Sequence, residues 1–411
     1  MLLSLPRNVE DARTRILRRR FTVAFSIYLL IIASSFSVSR VSSLSTASST
    51  YRTRNVFLVV MDGVRYSETF GDPAHRFIPH LWNDLRPLGA IYTNFRNNAI
   101  TVTVPGHTAM LTGVWQNVKN DGSERPHQPT VFEYYRKETG APANKTWVVV
   151  QHMNLISTDY SDDPEYGKQY GANLDSPGLH KRGELEHTGD VATWDILKSV
   201  MNRDHPSLVM VNFGMTDSMG HSGSWAGYAN AILDADTLIY YLWLKIQSDP
   251  VYKDKTTMFV TNDHGRHLDG VKTGFQDHGD DCEGCRHVMM LVTGPDTKSN
   301  VVVDTARQLI AVAPTIGALM RFSTPLAKGN VMSDMLAGNT QEPLSKTLSS
   351  EIILLVAAIT LLGSLLFIFM FAERKRKHIA RAKLQCESGS PGVIVTQKSY
   401  TERIPESEKF N

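Results

Sequence analysis

Apolar residues concentrate in two long runs near the ends of the chain. Residues 352–371 form twenty positions without a charged side chain. At the rise of an α-helix this length spans about 30 Å, the thickness of the hydrocarbon core of a bilayer. The pattern predicts a transmembrane helix at 352–372. Basic residues follow it, so residues 373–411, which lack apolar periodicity, are predicted to form a disordered cytoplasmic tail.

The first apolar run, residues 21–38, follows three consecutive arginines. It predicts either a cleaved signal peptide or a signal anchor within a basic N-terminal segment, residues 1–50. Both alternatives place residues 51–340 outside the cytoplasm, joined to the C-terminal helix by a juxtamembrane linker at 341–351. We therefore expect a single-pass membrane protein, or a two-pass one if the first run is retained, at the cell surface or in the secretory lumen. The glycosylation sequon Asn144-Lys145-Thr146 fits this topology.

Short apolar runs between the two ends predict the strands of one domain. Each run is continuous rather than alternating, which is typical of strands covered on both faces in a mainly parallel sheet. Helical stretches are predicted between them at 191–201, 225–247 and 304–321. This order predicts an α/β fold whose central sheet is flanked by helices on both faces. The predicted strands are 55–61, 146–150, 207–213, 256–261 and 288–292.

Net charge and cysteine content bear on the classes of partner and of site that the chain can have. The chain has 43 basic and 41 acidic side chains, a formal charge of +2, so its composition indicates no surface for a polyanion. Cys282 and Cys285 occur as Cys-Glu-Gly-Cys and predict a local disulfide in an oxidising compartment. A zinc site would need a second pair of ligands, which the local sequence lacks. Cys386 lies in the predicted tail as a free thiol or an acylation site.

Aspartates follow three of the predicted strands. Asp62 and Asp263 come directly after strand-like runs, and Asp217 lies four residues after another. Ligands collect at the carboxyl ends of strands in open α/β sheets, so these carboxylates are expected to converge. Carboxylate and imidazole ligands together suit zinc, or manganese, and the set is large enough for two ions. The histidines that accompany the aspartates are His221, His264 and His278.

Thr103 lies at the start of a helix that is predicted to begin near Pro105 and end near Gly113. A threonine in this position is more often an N-cap than a nucleophile. The start of a helix also offers unpaired N–H groups that favour an anionic phosphate. The two interpretations are compatible, and the residues alone leave both open.

Five motifs combine these residues: Met61-Asp62-Gly63, Thr103-Val-Pro-Gly-His107, Asp217-Ser-Met-Gly-His221, Asn262-Asp263-His264-Gly265 and His278-Gly279. In this order they resemble the alkaline phosphatase superfamily, over residues 54–336. The segment around Thr103 is most similar to the nucleotide pyrophosphatase/phosphodiesterase branch. It departs from that branch's Thr-aromatic-Pro-Asn-His pattern at Val104 and Gly106, and the short spacing from His264 to His278 is closer to phosphomutase-type members.

The resemblance implies an alkaline-phosphatase-like fold with two divalent cations, Zn²⁺ with Mn²⁺ as the alternative. Thr103 would attack phosphorus and form a phosphothreonine, and Asn120, with Asn117 as the alternative, would donate to a phosphoryl oxygen. His267 and His287 are alternatives to His278. The implied ligands of one ion are Asp217, His221 and His278, and those of the other are Asp62, Thr103, Asp263 and His264.

The expected function is hydrolysis of phosphodiester or pyrophosphate bonds in a small phosphorylated substrate. No binding of nucleic acid is expected beyond nucleotide-like substrates. A phosphomonoesterase or phosphotransferase of the same superfamily is the alternative. A sulfatase is another, although its chemistry needs a cysteine or serine nucleophile and an arginine that the Thr103 segment lacks. A single-pass receptor ectodomain without catalysis is the non-enzymatic alternative.

Overall fold

The computed structural model describes residues 51–337, together with Ala372, Glu373, Lys375, Arg376 and Ile379. The chain divides into two compact units, residues 1–338 and 339–411, and the five described residues of the second unit are helical. Within the described residues, no helix is long and apolar enough to cross a membrane. The segments predicted at 1–50, 341–351 and 352–371, and Cys386, lie outside the described residues.

One sheet of nine strands organises the first unit, in the spatial order β4-β3-β5-β1-β6-β7-β2-β8 with β9 beside β2. Among these described strands only β7 runs antiparallel to both of its neighbours. The sheet is therefore mainly but not wholly parallel. The strands are β1 (Asn55–Met61), β2 (Gly89–Arg96), β3 (Thr146–Val150), β4 (Asn173–Asp175), β5 (Leu208–Phe213), β6 (Thr256–Thr261), β7 (His287–Thr293), β8 (Val301–Val303) and β9 (Arg307–Gln308).

Helices cover both faces of this sheet, as the continuous apolar strands predict. Alternate side chains of β1 contribute to two different buried clusters, Val56, Leu58 and Val60 to one and Phe57, Val59 and Met61 to the other. Helices α1, α2 and α7 pack in the first cluster, and α3 and α5 pack in the second. The helices are α1 (Thr103–Thr112), α2 (Val131–Thr139), α3 (Gly189–Asp204), α4 (Met215–His221), α5 (Trp225–Ser248), α6 (Glu283–Arg286) and α7 (Val312–Met320).

The central strands bring three loops to one edge of the sheet. In the parallel register Met61 of β1 is paired with Phe213 of β5, and Val60 with Thr261 of β6. The three strands therefore end side by side. The chain segments that follow them carry Asp62, Asp217 and Asp263, which gives the local basis for their convergence.

The structure differs from the sequence prediction at the β2 side of the sheet. The predicted helix at 304–321 is wrong in its first half, because Arg307–Gln308 form β9 and the α-helix begins at Val312. Strands β2, β4, β8 and β9 were not predicted. β2 has partly exposed positions and an irregular register between Tyr92 and Phe95, so it lacks a continuous apolar run. The other three are two or three residues long.

Candidate active site

Asp62, Asp263 and His264 form a fully buried group of unsatisfied ligand atoms. Asp62 Oδ2 accepts a hydrogen bond of 2.8 Å from Asn212 Nδ2, but Asp62 Oδ1, Asp263 Oδ2 and His264 Nε2 have no partner among the described residues. His264 Nε2 lies 3.6 Å from Asp62 Oδ1 and 3.3 Å from Asp263 Oδ2. Buried polar atoms rarely remain unpaired. These three atoms suit a divalent cation between them.

The ring of His264 is oriented for metal binding. Its Nδ1 lies 2.9 Å from the carbonyl oxygen of Gly265, and because a carbonyl only accepts, Nδ1 carries the proton. Nε2 is then left with its lone pair toward the carboxylates. Burial lowers the pKa of His264 to about 3, which keeps the ring neutral at pH 7. A histidine held in this way has the tautomer that a cation requires.

Asp217, His221 and His278 form a second group beside the first. His221 Nε2 and His278 Nε2 each lie 3.4 Å from Asp217 Oδ1 and 3.1 Å from each other. His278 Nδ1 donates to the carbonyl oxygen of Thr101 at 2.9 Å, so its Nε2 is free to act as a ligand. The His221 side chain is 45% exposed, and the group is therefore open to solvent on one side.

The two groups are contiguous. The rings of His264 and His278 stack with their centroids 3.8 Å apart, and ligand atoms of Asp217, His264 and His278 all lie within 4.8 Å of one another. Gly63 permits this approach. It has φ +64°, and a Cβ at this position would lie 2.7 Å from Asp217 Oδ1. A larger residue in place of Gly63 would push the carboxylate of Asp217 away from that of Asp62.

Thr103 is the first residue of α1, and the N-cap is Val102, which makes no side-chain capping bond. Thr103 is buried, and its hydroxyl has no hydrogen-bond partner within residues 51–337. The interpretation of this threonine as an N-cap is therefore wrong. The carbonyl of Thr103 accepts from His107 Nδ1 at 2.9 Å, which ties the start of the helix to a fully buried imidazole.

The alternatives that the sequence left open are separated in space. Asn120 Oδ1 accepts from the backbone N–H of Val104 at 2.8 Å, which brings its amide group to the start of α1. Asn117 instead lines a surface cavity with Trp115 and His127. His267 lies against Asp280, and His287 stacks on Tyr66, so neither joins the group around Asp217.

Sequence reasoning missed His152 and Arg266 and gave His107 no role. His152 Nε2 is buried without a partner, 3.7 Å from Asp217 Oδ2 and 4.0 Å from Asp62 Oδ2. It follows β3 by two positions, so the strand-end pattern that located the aspartates could have found it. His107 Nδ1 lies 3.5 Å from Asp263 Oδ2. Arg266 is fully buried and ion-paired with Asp217, and the sequence carries no signal for that contact.

Negative charge exceeds positive charge in this site. Burial raises the pKa of Asp62 well above its ordinary value, and the carboxylates of Asp263 and Asp217 raise it further. Three carboxylates against the single guanidinium of Arg266 leave a net charge of −2 when all are ionised. Carboxylates crowded in this way need cations beyond Arg266. The donor set therefore fits divalent metal ions.

One segment of the chain is similar to a known family. Residues 184–324, about a third of the chain, match the family model described as the metalloenzyme superfamily. The matched segment contains Asp217, His221, Asp263, His264 and His278. Both this similarity and the buried Asp/His groups are consistent with the binding of divalent metal ions.

A curated relative of this chain is a phosphopentomutase from Herpetosiphon aurantiacus, 27% identical over 151 residues. The match covers 36% of this chain and spans about a third (35%) of that relative. Two solved structures share the fold. One is a protein in the alkaline phosphatase superfamily from Vibrio parahaemolyticus, with TM-score 0.51, 14% identity and coverage of 69% and 71% of the two chains.

The other structure is the murine ectonucleotide pyrophosphatase/phosphodiesterase 5, with TM-score 0.50 and 14% identity. The alignment covers 69% of this chain and 100% of the murine chain. At these identities the likeness concerns the fold, which is the mixed α/β fold of the alkaline phosphatase superfamily.

Proposed function

We propose that this protein is a metalloenzyme that hydrolyses phosphodiester or pyrophosphate bonds through a phosphothreonine on Thr103. The observation that carries the proposal is the set of buried, unpartnered atoms of Asp62, Asp263 and His264, contiguous with the open Asp217 group. Two divalent cations, Zn²⁺ with Mn²⁺ as the alternative, would be held by these two groups, with Thr103 on the Asp62 side. Bound cations would lower the pKa of the threonine hydroxyl and offset charge on phosphoryl oxygens.

The remaining steps concern the chain's own groups. Thr103 Oγ1 attacks phosphorus, the bond from phosphorus to the leaving oxygen breaks, and Thr103 carries the phosphoryl group until water displaces it. Asn120 is suited to position the substrate, because its Oδ1 is engaged by Val104 N while its Nδ2 is free to donate to a phosphoryl oxygen. His152 is neutral because burial lowers its pKa, so it also can take part in hydrogen bonding beside Asp217.

The test of this proposal compares hydrolysis of bis-nitrophenyl phosphate, a diester, with that of nitrophenyl phosphate, a monoester. Thr103→Ala is expected to abolish turnover of the preferred ester, and Thr103→Ser, which keeps a hydroxyl, is the matched control that retains part of it. Acid quenching during turnover is expected to trap phosphate on the peptide that contains Thr103. Full activity of Thr103→Ala would refute the nucleophile assignment.

A phosphomonoesterase or phosphotransferase is the second candidate. The local match to a phosphopentomutase and the short spacing between His264 and His278 favour it. Preference for the monoester, or transfer of phosphate to an added sugar, would select this candidate over the diesterase. Sulfate ester hydrolysis, measured with nitrophenyl sulfate, tests the sulfatase alternative. No turnover of any ester by the metal-loaded protein would leave the receptor alternative.

We also propose that the enzyme domain is extracytoplasmic and tethered to a membrane. The proposal rests on the apolar runs at 21–38 and 352–371 and on the basic residues that flank them. Asn144 is exposed just before β3, where a glycan can be accommodated. In cells, the full chain is expected to partition with membranes and to lose mass on treatment with a glycosidase. Asn144→Gln should remove that mass shift. A full chain recovered only in the soluble fraction, without a glycan, would contradict the proposal.

A further inference from the structure

A second cluster of metal-binding residues lies between β6 and β7. His267, Asp280, Cys282 and Cys285 each offer one ligand atom, and these four atoms all lie within 4.8 Å of one another. His267 and Cys285 are buried, and Cys282 and Asp280 are partly buried. The cluster shares no residue with the groups around Asp62 and Asp217. We propose that these four residues bind a structural Zn²⁺ ion.

The structure corrects the sequence prediction for the two cysteines. Cys282 and Cys285 are free thiols here, not the predicted disulfide. The sequence argument against zinc was that a second pair of ligands is missing. The fold supplies that pair as His267 and Asp280, an imidazole and a carboxylate. Two sulfurs, one nitrogen and one oxygen give the four ligands that a closed structural zinc site requires.

Neighbouring contacts orient the side chains that would face the ion. His267 Nδ1 lies 3.1 Å from Thr273 Oγ1, so Nε2 points to the cluster. Asp280 Oδ1 accepts from the backbone N–H of Cys282 at 3.0 Å, and Oδ2, which also accepts from Lys272 Nζ, faces His267. The backbone N–H of Cys285 donates to Cys282 Sγ at 3.4 Å, a bond that stabilises a thiolate.

One distance can be compared directly with tetrahedral coordination. Zinc lies about 2.0–2.1 Å from imidazole nitrogen and carboxylate oxygen, so two such ligands at the tetrahedral angle are about 3.3 Å apart. His267 Nε2 and Asp280 Oδ2 are 3.2 Å apart. These two side chains are therefore already spaced as neighbouring ligands of one ion.

The charges of the cluster balance around a divalent cation. Two thiolates and the Asp280 carboxylate carry a charge of −3. Lys272 forms an ion pair with Asp280 Oδ2, and its single positive charge together with Zn²⁺ gives +3. The complete set is neutral, which limits the cost of placing two thiolates in a partly buried position.

The cluster is connected to the candidate active site through the backbone. Asp280 O accepts from Thr101 Oγ1 at 2.7 Å, and the carbonyl of Thr101 accepts from His278 Nδ1 at 2.9 Å. The carbonyl of Cys285 accepts from the N–H of Gly265 at 2.9 Å, directly after His264. An ion in the cluster would therefore hold the loop that carries His278 and the backbone beside His264.

Cobalt substitution of the full chain tests the proposal, with Cys386→Ser as the background. Thiolate bonded to Co²⁺ gives a charge-transfer absorption band that oxygen and nitrogen ligands do not give. Co²⁺ bound at the Asp62 and Asp217 groups therefore does not contribute to this band. We expect the band in the parent protein, a weaker band in Cys282→Ser and in Cys285→Ser, each of which keeps one thiolate, and its loss in the double variant. Asp280→Asn should keep the band with a changed ligand-field spectrum. Asp281→Asn, at an exposed neighbour outside the cluster, is the matched control and should leave the spectrum unchanged.

A thiol measurement keeps the test decisive if the serine variants fail to fold. In the parent protein as isolated, Cys282 and Cys285 should resist alkylation and become reactive when a chelator is added. Absence of the cobalt–thiolate band overturns the proposal. So does a Cys282–Cys285 peptide that needs a reductant before it is alkylated, because that peptide contains the disulfide. Thr103→Ala should keep the band, so failure of the zinc site and failure of the proposed hydrolysis are distinguishable.

Discussion

Replacement of Arg266 tests whether this buried guanidinium holds the candidate active site together. Its Nε donates to the carbonyl of Gly63 at 2.9 Å, its Nη1 donates to the carbonyl of Gln276 at 2.9 Å, and its Nη2 pairs with Asp217. One side chain thus joins the segments after β1, β5 and β6. Arg266→Met removes every one of these donors and leaves Asp217 buried without its cation.

The magnitude follows from the loss of the ion pair. Breaking a buried pair by removing one partner costs about 3–5 kcal/mol. For a domain of this size, about 3 kcal/mol corresponds to a fall in melting temperature of about 5 °C. Arg266→Lys keeps a positive charge but cannot reach the carbonyls of both Gly63 and Gln276. It is expected to lose about 1–3 kcal/mol, the cost of one unsatisfied buried acceptor.

Thermal and urea unfolding of the metal-free and metal-loaded protein measure these losses. The loss in Arg266→Met should be larger without metal, because a bound cation gives Asp217 a second counter-charge. Arg203→Lys is the matched control. Its guanidinium is 57% exposed and pairs with Asp204, so the substitution should change stability by less than about 1 kcal/mol. A change of the same small size in Arg266→Met would refute the structural role of the guanidinium.

Three further predictions concern protonation, catalysis and metal removal. Burial raises the pKa of Asp190 from 3.8 to about 7, so the folded protein keeps a proton that the unfolded chain loses. The contribution of the Asp190 carboxyl to the free energy of unfolding should fall by up to about 4 kcal/mol as pH rises from about 4 to about 7. Asp190→Asn has no such proton and should flatten the profile of unfolding free energy against pH; an unchanged profile would contradict this. His152→Ala should lower kcat for the preferred ester by at least about 10-fold with unchanged metal content, and wild-type kcat would exclude its participation. Chelation should lower the melting temperature of the wild type, and added Zn²⁺ should restore it. Asp263→Asn should reduce the difference in melting temperature between the chelated and the Zn²⁺-loaded protein. An unchanged difference would show that Asp263 holds no metal.

The sequence predicts the parts of the fold that rest on continuous apolar runs. β1, β3 and β6 have the predicted bounds, because every residue of each strand is buried and each contains a continuous apolar run. β2 was missed because its positions from Thr93 onward include polar and partly exposed residues. The helix predicted at 304–321 began too early because Arg307 and Gln308 pair with β2, and a 3-10 turn at Leu309–Ala311 precedes the α-helix.

The predicted site residues cluster because parallel neighbouring strands end at the same edge. That rule locates Asp62, Asp217 and Asp263 without knowledge of long-range contacts. It cannot locate Arg266, whose role depends on the distance between its guanidinium and three separate segments. It also cannot show that Thr103 is the first helical residue rather than the N-cap, because that depends on the backbone angles of Val102.

The segment from Asp263 to His287 explains both the short histidine spacing and the error about the cysteines. Its side chains contribute to two separate clusters. His264 and His278 lie near Asp217, whereas His267, Asp280 and the two cysteines lie near one another. The Gly265 and Gly284 backbones make this possible, since a Cβ on Gly265 would lie 2.0 Å from the carbonyl oxygen of Gly284. A loop that supplies ligands to two neighbouring sites cannot be long and unconstrained. Thr101 links Asp280 to His278, so the proposed second site would also help to fix the position of His278, and counting cysteine pairs along the sequence could not reveal its ligands.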